Sequence, residues 1–139
     1  MKANRSIYIA AADSTGHGVP GAMVSVVCSN ALNRAVKEFG LTDTGKILDK
    51  TRELVVETFE KSSSDVKDGM DISLMSIEYT LNQDTKDTVQ NTTIKWSGAN
   101  NSLWYITPSS GGKMTEIKSD KLKPFAFAKS SRGSLRSMF

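Results

Sequence analysis

Three observations predict an α+β fold. One short apolar run lies near the N-terminus, two successive stretches carry apolar residues at three- and four-residue steps, and the remaining half changes to the period of strands. The first run, Ser6 to Ala12 (SIYIAAA), begins with β-branched and aromatic residues and continues with small ones. It reads as a strand buried on both faces that ends at Asp13. From Pro20 the residues Val24, Val27, Cys28, Ala31, Leu32, Ala35, Val36 and Phe39 form one helical stripe. Pro20 suits a first turn and Gly40 a stop. A second helix follows with Thr42 or Asp43 as N-cap and Ile47, Leu48, Leu54, Val55 and Phe59 on its buried side, ending near Ser62 to Ser64.

Ile72 to Tyr79, Thr92 to Ser97 and Leu103 to Thr107 read as strands. Gly98-Ala99-Asn100-Asn101 tolerates left-handed conformations and predicts a hairpin joining the last two. Ser109 to Lys113 (SSGGK) is a further turn, and Met114 to Ile117 completes an antiparallel meander. The tail KPFAFAKSSRGSLRSMF loses periodicity after its two phenylalanines, so residues 1–128 are read as the domain and 129–139 as an irregular tail.

At 139 residues, with 38% hydrophobic and 24% charged residues, the chain fits one globular domain. No apolar run reaches the roughly 18 residues of a membrane span, and MKANRS lacks the apolar core of a secretion signal, so a cytoplasmic location and no membrane contact are expected. The single cysteine, Cys28, cannot form an internal disulfide and lies on the apolar stripe, where packing is its expected role. Met23, Met70, Met75 and Met114 read as core filler. The net charge is +3, with much of the basic excess late, in Lys118, Lys121, Lys123, Lys129, Arg132 and Arg136; without a basic face of interleaved aromatics or a reading motif, this argues against nucleic-acid binding.

Chemistry concentrates in Asp13 to Ser25, DSTGHGVPGAMVS. Gly16 to Gly21 matches the dinucleotide pattern G-x-G-x-x-G after a strand and before a helix. A nucleotide site would need a parallel strand soon after that helix, yet a second helix follows, and Pro20 removes an amide that could face a phosphate. Asp13 has two readings: a carboxylate at a strand end holding a divalent cation beside a loop left bare by Gly16 and Gly18, or an Asx-type cap of the turn. His17 is the only histidine, which excludes a His-rich zinc site and leaves a simple hydrogen-bonding role open.

Asp13-Ser14-Thr15-Gly16-His17-Gly18-Val19-Pro20-Gly21-Ala22-Met23, then Leu32-Asn33, Asp68-Gly69-Met70-Asp71 and Ser97-Gly98-Ala99-Asn100-Asn101, closely resemble the SpoIIE-like branch of the metal-dependent (PPM, type 2C-like) serine/threonine protein phosphatases. The resemblance spans about Ile7 to Lys121. It implies a partial αββα sandwich, with antiparallel sheet flanked by a pair of long helices, and two Mn²⁺ or Mg²⁺ ions at one edge. It further implies that Asp13 bridges the metals, that the Ser14 carbonyl ligates one, and that Gly16, His17 and Gly18 line the substrate approach. Such a pair of ions, about 3.5 to 4 Å apart, generates a hydroxide for attack on phosphoserine or phosphothreonine of a regulatory protein. Asp71 is a secondary candidate at the metal edge, although Asp-Gly before a strand also suits a turn.

Family members carry an acidic glycine motif upstream, whereas only twelve residues precede Asp13 here. Of the later acids Glu78, Asp84, Asp87, Glu116 and Asp120, none is followed by the glycine that the family's next ligand motif requires. The expectation is therefore the central portion of a phosphatase domain, weak or inactive alone. The alternatives are a non-catalytic interaction module of the same fold and, behind it, nucleotide binding through Gly16 to Gly21. Missing outer strands would expose a sheet edge, and dimerisation through it is a further expectation.

Overall fold

The computed structural model describes residues 4–14, 16–61, 69–81, 89–119 and 131–136. In chain order the elements are β1 (Asn4–Ser14), α1 (Gly18–Lys37), α2 (Thr44–Lys61), β2 (Met70–Leu81), β3 (Val89–Ala99), β4 (Leu103–Ile106), a 3₁₀ turn (Pro108–Ser110), β5 (Met114–Ile117) and β6 (Ser131–Arg136). Two antiparallel sheets result: a four-stranded one in the order β1-β2-β3-β6, and the two-stranded β4-β5. The α+β reading holds.

The helices form for the reasons their sequence suggests. Asp43 Oδ1 accepts the Lys46 N–H at 2.9 Å, capping α2. Gly40 takes φ +62° just after α1, and the Leu41 N–H returns to the Ala35 carbonyl at 3.2 Å, closing a Schellman-type stop. Val24, Cys28, Ala31 and Ala35 of α1 then meet Ile47, Leu48, Leu54 and Val55 of α2 and alternate residues Met70, Ile72 and Leu74 of β2 in one buried cluster. The helix pair thus covers one face of the large sheet. A buried hydrogen bond of 2.9 Å between Thr44 Oγ1 and Ser97 Oγ ties the start of α2 to β3.

The opposite face follows from the register. Ile7, Ile77 and Ile94 lie in one cross-strand row, and Ile9, Met75 and Trp96 in the next. Trp96 is fully buried; its Nε1 donates to Ser73 Oγ at 2.6 Å, and its ring lies over Gly98, where a Cβ would collide with the indole and with the Asn101 carbonyl.

Several expectations are corrected. β1 is not buried on both faces: among the described residues it is an edge strand, with Ile7 47% and Ile9 49% exposed. β3 and β4 do not form a hairpin. Asn100, at φ +60°, bridges to Ile72 across the sheet end, so the chain leaves β3 and β4 pairs with β5 instead. Met23, Met114 and Phe39 are exposed rather than core, because each falls on the solvent side of its element or beyond the helix end. Residues 131–136, read as irregular, pair with β3 as β6. Residues 120–130, including Lys121, lie outside the described set. No helix among the described residues is long and apolar enough to cross a membrane.

Candidate functional site

The site is built at the C-terminal end of β1. Eleven uninterrupted register pairs join β1 to β2, and near their end Asp13 stands directly opposite Asp71. Directly opposed residues share a sheet face with Cα atoms about 4.5 to 5.5 Å apart, so two carboxylates are held side by side. Asp13 is exposed and Asp71 half-buried. Like charges in this arrangement repel, and one compensating group is in place: Asn100 Nδ2 donates to Asp71 Oδ1 at 2.6 Å. Asn100 reaches that position through the left-handed turn that diverts the chain out of β3.

The loop after Asp13 is shaped by glycine. Gly16 and Gly18 adopt φ +96° and +66°, a region that side chains rarely enter. Between them His17 is the extended N-cap residue of α1, exposed and making no side-chain cap bond. Gly21, in the first turn of α1, lies so close to the loop that a Cβ there would meet Gly16 C and O at 2.8 Å. The loop therefore folds back onto the helix start, and any larger residue at 21 would push it outward. Pro20 sits in the same turn, where a missing N–H costs nothing.

Ser14 faces the helix side. Ser25 Oγ lies 2.9 Å from Ser14 Oγ and 3.0 Å from the Gly21 carbonyl oxygen, and its one proton serves one of them at a time. A groove between β1 and α1, lined by Ala12, Asp13, Ser14, Ser25, Ser29 and Met70, opens beside the strand end.

Of the sequence-derived candidates, Asp13, Ser14 and Asp71 are thus brought together at one sheet end, and Gly16, His17 and Gly18 form the adjoining loop. Asp68 and Thr15 lie outside the described residues. Sequence reasoning missed Asn100 as a partner of Asp71; its side chain is recruited by a turn read only as a hairpin connector. Cys28 is buried, and burial pushes its thiol from the ordinary 9.0 up to about 11, which suits packing and not nucleophilic attack. The dinucleotide pattern lacks its context: α1 runs into α2, and the next strand, β2, is antiparallel to β1.

The donor set fits a hard divalent cation in kind but not in number. Two carboxylates and a neighbouring backbone carbonyl are oxygen ligands of the type Mg²⁺ and Mn²⁺ take. No group of three or more His, Cys, Asp or Glu side chains converges among the described residues. Among the described residues this end of the sheet does not enclose an ion.

No protein-family model matches the chain, and no curated protein does. Among solved structures, the SiaA-PP2C domain of Pseudomonas aeruginosa is similar, with a TM-score of 0.63 and 19% sequence identity over 96% of this chain and 50% of that one. The chain spans about half the length of that domain. Its mixed helix pair and antiparallel sheet are therefore a PP2C-like fold, matched over half of the chain that carries it.

Proposed function

We propose that this chain is the metal-anchoring central portion of a SpoIIE-like protein phosphatase that removes phosphate from phosphoserine or phosphothreonine on a bacterial signalling protein. The observation that carries the reading is the pairing of Asp13 with Asp71 across the β1–β2 ladder. Two adjacent carboxylates on a strand end cost stability unless a cation or donor offsets them, and Asn100 supplies a donor to only one of the pair.

In this reading Asp13 holds Mn²⁺ or Mg²⁺, with the Ser14 carbonyl beside it and Asp71 as second carboxylate. A bound ion of this kind supplies an activated water and a clamp for phosphoryl oxygens. The chain's own contribution is positional. The β1–β2 ladder fixes the two carboxylates, the Asn100 amide holds Asp71 in orientation, and the glycines at 16 and 18 leave a path free of side chains toward them. His17 lies at the mouth of that path. No side-chain nucleophile is required, which agrees with a buried Cys28 whose proton is held to high pH.

With two carboxylates and no third ligand of that kind beside them among the described residues, the ion is held weakly and turnover by this chain alone is slow or nil. The test is fluorescence anisotropy of a phosphothreonine peptide and its unphosphorylated twin, with and without Mn²⁺. Expected is tighter binding of the phosphorylated peptide in Mn²⁺ only, lost in Asp13→Asn. Equal binding of both peptides regardless of Mn²⁺ would contradict the reading and favour an interaction module on the same fold.

A further inference from the structure

We propose that two copies of this chain pair through their β1 edges, antiparallel about a two-fold axis at Ile9, to make one continuous eight-stranded sheet. The proposal does not rest on the metal reading.

β1 is an unusual edge. Among the described residues it has one ladder partner, β2, and its eleven residues run without a bulge or proline. Protected edges are short, bulged, proline-bearing or lysine-rich, and β1 is none of these. Its outward amides and carbonyls form a template for another strand, and its apolar side chains are left half in water, Ile7 at 47% and Ile9 at 49% exposure.

The occupant is selected by charge. Ile9 is the midpoint of Asn4–Ser14, and the only charged residues on the strand, Arg5 and Asp13, lie four positions to either side of it. Both are exposed and neither has a salt bridge within the chain among the described residues. In an antiparallel pair centred on Ile9, Arg5 of one copy stands opposite Asp13 of the other, twice over. Ile7 stands opposite Ala11, and Ile9 meets its own counterpart. Because strand side chains alternate, all of these lie on the sheet face away from the helices. On the helix side Tyr8 meets Ala10 and Ser6 meets Ala12, large against small. A register slipped by two residues would lose the opposition of Arg5 to Asp13. The strand is thus complementary to itself in one register, as an isologous two-fold interface requires.

The test is sedimentation velocity in EDTA, which keeps cations off Asp13, over a concentration series. Wild type is expected to reach twice the 15.1 kDa chain mass. Arg5→Asp and Asp13→Arg, each placing like charges opposite one another at two points, should weaken association about tenfold. The double reversal Arg5→Asp/Asp13→Arg should restore it. Circular dichroism checks that each variant is folded. An independent arm uses Ile9→Cys: opposed Cα atoms in such a pair fall within disulfide reach, so mild oxidation should yield a covalent dimer, whereas Cys28 is buried. A monomer at every concentration, a dimer indifferent to the single reversals, or a double reversal that fails to restore it would overturn the proposal.

Discussion

At the scale of single residues, burial and close approach make several side chains testable. Ser76 is fully buried, and its Oγ has no hydrogen-bond partner among the described residues. An unsatisfied buried hydroxyl costs about 1 to 3 kcal/mol, so Ser76→Ala is expected to raise the urea midpoint, by about 1 kcal/mol in stability. Gly21→Ala should do the reverse. Its new methyl meets the Gly16 backbone at 2.8 Å, and the loss, about 1 to 3 kcal/mol, should appear as a lower urea midpoint together with weaker Mn²⁺ binding. Cys28 gives a pH dependence whose sign is fixed by its raised pKa. The folded thiol keeps its proton to about 11 while the unfolded one releases it near 9.0. Stability is therefore unaffected below the lower value and falls through the interval by about 1.4 kcal/mol per unit, which Cys28→Ser melts between pH 8 and 11 should lack. Asp13 was legible as a site candidate from its place between an apolar run and a glycine loop. The pairing of Asp71 with it was not, because a cross-strand register depends on the whole ladder and not on the Asp-Gly dipeptide nearby.

At the scale of elements, the helices were readable because their determinants are local: the Asp43 cap, the Gly40 stop and an apolar stripe of period 3.6. Strand positions were readable too, but not their partners. The run SIYIAAA shows apolar and small residues whether its strand is central or at an edge, and among the described residues it lies at an edge. The predicted hairpin failed for a related reason. Gly98 to Asn101 does turn, but Gly98 is glycine because Trp96 lies on it, and Asn100 steers the chain across the sheet end toward Ile72. Gly98→Ala should therefore displace the indole, shifting tryptophan emission to the red and costing a few kcal/mol in a denaturant melt. Thr44→Val, which strands the buried Ser97 hydroxyl and loosens α2 from β3, should cost about 1 to 3 kcal/mol in the same assay.

At the scale of the molecule, the helix pair covers one face of the large sheet, and β1 lies at its edge among the described residues. The likeness to a PP2C-type domain accounts for the arrangement of helices and sheet, and it extends over half of that domain. The carboxylate pair sits at the end of β1, which has one ladder partner among the described residues, so the proposed metal anchoring and the proposed edge pairing draw on one residue, Asp13. The most direct test of the metal anchor is paramagnetic broadening in amide NMR spectra at substoichiometric Mn²⁺. The account predicts early loss of signals from residues 12–14 and 70–72 in the wild type, and retention of those signals in Asp13→Asn. Broadening that begins elsewhere, or that survives Asp13→Asn unchanged, would contradict it.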